Sequence, residues 1–183
     1  MSTSEQLEFA RSIEGTFIKA LGPDLTPELK ARLRSEGLDL DRPLLPAYSP
    51  EDYHRWIKVA AQELYVYDSS TEACRKLGFR SVAGLEDTMM GKALAAGLKL
   101  IGPMRSLQRI DRLVRHNNNY MLATVSDLNI SGGRVHLSHV YGVPSYYAGF
   151  FEAAVKVSGG RNPRVTTLPA PPPGALYQLE WTA

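Results

Sequence analysis

Cysteine is nearly missing from this sequence: Cys74 stands alone among 183 residues. An intrachain disulfide is thereby excluded, as is any zinc site built from several thiolates. Long apolar runs are missing too. No stretch approaches the roughly 18 residues of a spanning helix, and the start, MSTSEQLEFARSIEG, lacks the basic and then apolar order of an export signal. A cytoplasmic protein is expected. Nor is there an excess of one charge: 21 Lys+Arg against 19 Asp+Glu leave +2, too little to argue for a nucleic-acid partner. The GxSxG, GxxxxGK(S/T), HExxH and GxGxxG patterns are all absent, and no Cys/His/Asn signature surrounds Cys74. The chain is therefore expected to be non-enzymatic, with no catalytic residue, no metal and no cofactor.

What is present reads as one soluble folded domain spanning 1–183, at 44% hydrophobic and 22% charged residues. Its first part, about 15–116, carries short helices with good caps. Thr26 with Pro27 opens one that Gly37 stops; Ser49 with Pro50 opens another, whose Tyr53, Trp56, Ile57, Ala60, Ala61 and Leu64 form an apolar stripe. A third is expected from Ser69 or Ser70 to Gly78. A fourth spans Leu85 to Leu100, interrupted by Gly102 and Pro103, and a fifth runs from about Met104 to Arg115. From about 117 to 182 the pattern becomes ββαββ: runs 119–130 and 134–141, an aromatic helix in PSYYAGFFEAAVKVSGG, then PRVTTL and ALYQLEW. The fold class expected is α+β, a helical half followed by an antiparallel ββαββ sheet with helices packed on it.

Three of the four histidines fall in RHNNNYMLATVSDLNISGGRVHLSHVYG. Taking Gly132 and Gly133 as the hairpin loop pairs Ile130 with Val135, Leu128 with Leu137 and Ser126 with His139. His136 and His139, three apart on one strand, then point to opposite faces and cannot share a metal. Asn117 to Asn119 suit a helix exit, because Asn tolerates left-handed backbone and its amide caps main-chain groups.

Two further groupings suggest binding. Arg105, Arg109, Arg112 and His116, spaced 4, 3 and 4, form a stripe along one helix face. It is either a solvated face or a site for a nucleic acid, an anionic lipid or an acidic partner. Tyr146, Tyr147, Phe150 and Phe151 form the aromatic side of the helix before the last two strands. They pack the core, wall an apolar pocket with Met89 and Met90 opposite, or do both.

The run GLDLDRPLLPAYSPEDYHRWIKVAAQELY, followed by EACRKLGFRSVAGLEDTMMGKAL, LIGPMRSLQRIDRLVRHNNNY and a terminal YQLEW, resembles a paralogous family of unknown function known mainly from myxobacteria, from about Gly15 to Trp181. More remotely, the element order and SYYAGFFEAAVKVSGG before two strands are similar to the ligand-binding superfamily of haem nitric-oxide-binding domains, four-vinyl-reductase domains and TRAPP trafficking subunits. That resemblance implies a small-molecule pocket between helices and sheet, or a dimerising adaptor. Haem-binding members place a proximal histidine on the helix well before the first strand and carry a Tyr-x-Ser-x-Arg motif. Here GKALAAGLKLIGPMRSLQRI has no histidine, the motif is absent, and the nearest candidate, His116, lies at a helix end. Haem needs an axial ligand from the protein, so none is expected. The expected function is a regulatory or sensory domain binding a small apolar ligand or a protein partner. The alternative is an adaptor working through the basic helix face or as a homodimer, and a haem-type gas sensor stands third.

Overall fold

The computed structural model describes residues 5–84 and 89–182. Its helices begin where side chains cap them. In α2 (Pro27–Ser35) the Thr26 hydroxyl accepts from the Leu29 amide, in α3 (Pro50–Leu64) Ser49 accepts from Asp52, and in α4 (Ser70–Ala83) Ser69 accepts from Glu72. Gly37, at φ +95°, follows α2 as expected. Ahead of these, α1 (Ala10–Ile13) continues as a π-helix over Glu14–Lys19, and a two-residue strand β1 (Glu8–Phe9) pairs with β2 (Ala47–Tyr48). Sequence periodicity did not foretell this N-terminal segment.

The third expected helix does not stop at Gly78. It runs on to Ala83, because Gly78 serves packing instead: a Cβ there would lie 1.8 Å from the Tyr146 carbonyl oxygen. Tyr146 belongs to α7 (Pro144–Val157), and on that helix Gly149 reciprocates, with its missing Cβ 1.9 Å from the Arg75 carbonyl oxygen of α4. The two backbones thus touch at paired glycines. Beside the contact, Arg75 Nη2 donates to Glu152 Oε2 at 2.7 Å.

Helix α5 (Met89–Leu107) contains the expected break at Gly102, which is non-helical at φ 75°. The single helix expected from Met104 to Arg115 is two, since the chain turns at Gln108 and Arg109 before α6 (Ile110–Asn117). Strands β3 (Ala123–Asn129), β4 (Gly132–Leu137), β5 (Arg161–Leu168) and β6 (Ala175–Thr182) form an antiparallel sheet in the order β3-β4-β6-β5.

The hairpin corrects the expected register. Ala123 pairs with Leu137, Val125 with Val135 and Asn129 with Gly132, with a bulge between Ser126 and Asn129 where Asp127 takes φ 51°. The turn is Ile130 and Ser131, closed by Asn129 Oδ1 accepting from the Ser131 amide at 2.9 Å. Gly132 and Gly133 lie within β4, opposite Glu180 and Leu179. A Cβ on Gly132 would come within 2.6 Å of the Leu179 oxygen, so its glycine answers a close strand, not a turn. His139 consequently falls beyond the strand, with its Nδ1 3.0 Å from Ser138 Oγ.

The asparagine run holds the N-terminal segment. Leu7 N donates to Asn119 Oδ1 at 2.8 Å, Asn119 Nδ2 donates to Glu5 O at 2.9 Å, and Ser12 Oγ donates to Asn117 O at 3.1 Å. Asn118, buried, turns its Oδ1 back to accept from Met121 N at 2.9 Å. Asn118→Ala leaves that buried amide unpaired and should cost about 1–3 kcal/mol in urea unfolding. Asn117→Ala keeps its backbone acceptor and should cost under about 1 kcal/mol.

Two apolar clusters result. One joins α1, α2, α3 and α4 through residues such as Phe17, Leu33, Trp56, Ile57 and Leu77. The other joins the sheet to α7 through Val135, Leu137, Phe151, Tyr177 and Leu179.

Candidate functional site

Between the two clusters lies a knot of polar aromatic side chains. Tyr147 of α7 packs against both. Its hydroxyl donates to His54 Nε2 at 2.7 Å, and His54 Nδ1–H donates to Pro50 O at 2.6 Å, so both ring nitrogens of this 1% exposed histidine are engaged. Burial pulls its pKa down from 6.5 to about 4; the bond to Pro50 opposes that shift and Lys58 adds to it. His54 is therefore neutral at physiological pH. Next to it the hydroxyls of Thr16, Tyr53 and Tyr146 converge, 2.9 Å from Thr16 to Tyr53 and 3.4 Å for the other two pairs.

On the other side of His54 the rings continue toward solvent. Tyr141 stacks on it with centroids 5.0 Å apart and meets Tyr120 edge-on at 5.4 Å, while His139 lies 6.1 Å from Tyr141. Tyr141 donates to exposed Gln6, which marks the outer rim. Tyr120 donates to Glu8 Oε2 at 2.7 Å. Glu8 is 2% exposed, and burial raises its pKa to about 7, against hydrogen bonds from Ser12 and Tyr120 that favour the carboxylate. The site therefore has a wet edge at Gln6, His139 and Tyr141, and a dry interior at Tyr53, Tyr146 and Tyr147.

Of the residues singled out by sequence, the structure brings Tyr146 and Tyr147 into this knot. Phe151 is buried against Tyr177, with ring centroids 5.2 Å apart, and half-buried Phe150 packs on the same sheet-side cluster. Met89 is no part of it. It is 90% exposed, because α5 turns Ala95 inward instead, and the side chain of Met90 lies outside the described residues. Arg109, Arg112 and His116 do gather, with Asp111, Leu113 and Arg115, around an open groove of about 660 Å³, whereas Arg105 lies apart in the last turn of α5, before the turn at Gln108 and Arg109. His116 receives Arg11 Nη1 at 2.9 Å, and Arg115 pairs with Asp111 at 2.7 Å.

His54, Glu8, Tyr120 and Tyr141 escaped sequence reasoning. His54 did leave a signal, a titratable residue one position from Tyr53 on the apolar stripe of α3. Glu8 left none, since its burial depends on the asparagine run more than a hundred positions later.

The fold has solved counterparts. An oxygen-binding H-NOX domain related to soluble guanylate cyclases superposes with a TM-score of 0.65 at 14% identity, covering 94% of each chain. An H-NOX structure determined to explain H-NOX activation gives 0.65 at 14% identity, covering 96% of this chain and 97% of that one. An unliganded Fe(II) H-NOX variant from K. algicida gives 0.65 at 10% identity, covering 94% and 96%. The chain thus has the H-NOX fold. Comparison with curated proteins finds no match. Residues 6–182 match the family described as Protein of unknown function (DUF2378), and the chain belongs to that family.

Proposed function

We propose that this protein is a non-catalytic regulatory domain that recognises a small, mostly apolar molecule at the knot between helices and sheet, without haem. What supports the reading most is the composition of the knot. A few convergent polar groups, the hydroxyls of Tyr53, Tyr146 and Tyr147 and the His54 imidazole, sit in an aromatic wall that Phe150 and Phe151 extend, the make-up of a small-molecule site. A ligand with one hydrogen-bonding group would take the place of the bond between Tyr147 and His54 and separate the helical cluster from the sheet cluster. That displacement is the signal such a domain would pass on.

The haem that the H-NOX family carries does not fit these residues. His54 has no free nitrogen, His116 is exposed and held by Arg11, and α5 carries no histidine. Burial raises the pKa of Tyr53, Tyr120, Tyr147 and Cys74, opposing the anions that would ligate iron. Hemin added to the purified protein should leave the spectrum of free hemin, and a shifted Soret band from axial ligation refutes this part. Indole, an apolar ring with one N–H, should raise the melting temperature, and Tyr147→Trp, which replaces the hydroxyl facing His54 with an indole of the protein's own, should abolish the rise. No rise with indole, together with no small molecule retained in native mass spectrometry, overturns the ligand reading.

A further inference from the structure

We propose that α5, with the adjoining α6, is a docking surface for an anionic membrane, on which it lies flat. The outward side of α5 is apolar. Met89, Ala93, Ala96 and Leu100 recur at 4, 3 and 4 residues and so share one face. All four are exposed, Met89 at 90% and Leu100 at 89%. Leu94 elsewhere on α5, at 58%, and Leu113 of α6, at 45%, are exposed as well. Exposed leucines and methionine gathered on neighbouring helices differ from the single apolar side chains scattered over any surface.

Along α5 itself every charged residue is basic, and Glu86 and Asp87 precede it in the sequence. From Met89 to Ile110 the sequence holds Lys92, Lys99, Arg105 and Arg109 and no acidic residue, in a chain whose total is only +2. Arg112 and Arg115 follow on α6, where Asp111 is the one acid. The open groove lined by Arg109, Arg112 and His116 continues the cationic rim. An apolar face bordered by cations matches the boundary between anionic headgroups and acyl chains.

That charge decides among occupants. A second copy seated on α5 would bring two cationic rims together. A protein partner would need shape to register against, but between Met89 and Leu100 this stripe presents only Ala93 and Ala96. A bilayer needs apolar area and cations without a matching contour. Among the described residues no helix is long and apolar enough to cross a membrane, so α5 rests on the surface rather than through it.

The test is co-sedimentation of the full chain with vesicles of phosphatidylglycerol mixed into phosphatidylcholine, against phosphatidylcholine alone. Binding should require the anionic lipid and weaken with salt. Leu100→Glu, at a position too exposed to disturb the fold, should lower vesicle affinity by about tenfold or more. The double variant Lys92→Gln, Arg105→Gln should lower it about thirtyfold, from about 1 kcal/mol per cation. Equal binding to both vesicle types, or binding indifferent to Leu100→Glu, overturns the proposal. So does capture of polyglutamate with no vesicle binding, which assigns the surface to acidic polypeptides.

Discussion

Gly149→Ala should be among the most damaging single-methyl additions in this protein, lowering stability by about 3 kcal/mol or more. The new Cβ would sit 1.9 Å from the Arg75 oxygen and 2.8 Å from the Phe79 amide nitrogen, atoms of an α4 backbone that cannot rotate away. Relief requires the helices to separate, which would stretch the ion pair from Arg75 to Glu152 and lift α7 from the sheet, where Tyr177 anchors its first turn by donating to Pro144 O at 3.0 Å. Gly78→Ala meets the Tyr146 oxygen at 1.8 Å and should behave alike. At about 2–4 °C per kcal/mol for a chain of this size, each should lose roughly 6–12 °C in melting temperature. Gly97→Ala provides the contrast. Its Cβ meets nothing within 4 Å on exposed α5, so replacing glycine in a helix should stabilise by up to about 1 kcal/mol. Equal effects at Gly97 and Gly149 would show that backbone freedom, not helix approach, governs these positions.

These glycines also mark how far sequence reads into this fold. Local chemistry was legible: the caps Thr26, Ser49 and Ser69, the break at Gly102, the ββαββ order and the aromatic helix all rest on contacts within a few residues. Gly78, Gly132 and Gly133 were misread as stops and turns because glycine also serves where distant backbones meet, and the sequence does not say which strand or helix arrives. The candidate site divides the same way. Tyr146 and Tyr147 could be named from the pattern of one helix. Glu8, His54, Tyr120 and Tyr141 come from four separate segments, and only the closure of the N-terminal segment onto Asn117 to Asn119 brings them together.

Two buried groups of that knot should pull stability in opposite directions as pH changes. Glu8 titrates near 7 in the fold against an ordinary 4.5, so the fold prefers its protonated form. Its contribution is complete below about pH 4.5 and is lost as pH rises toward 7, about 3 kcal/mol in all at 1.36 kcal/mol per pH unit. His54 titrates near 4 against 6.5, so the fold prefers the neutral ring. That contribution, also about 3 kcal/mol, is complete above pH 6.5 and is lost as pH falls toward 4. Between roughly pH 4.5 and 6.5 the two slopes cancel, and neither leaves a trace in the wild-type profile. Single variants should uncover them. Glu8→Gln keeps an acceptor for the Tyr120 hydroxyl and should gain stability relative to wild type as pH rises from 4.5 to 7. His54→Gln should gain relative to wild type as pH falls from 6.5 to 4. Because surface carboxylates such as Asp39 and Asp41 are shared by every variant, differences in urea unfolding free energy at matched pH isolate the two buried groups. Parallel profiles for wild type and both variants would mean that water reaches Glu8 and His54, and that the knot is not the dry junction its hydrogen bonds describe.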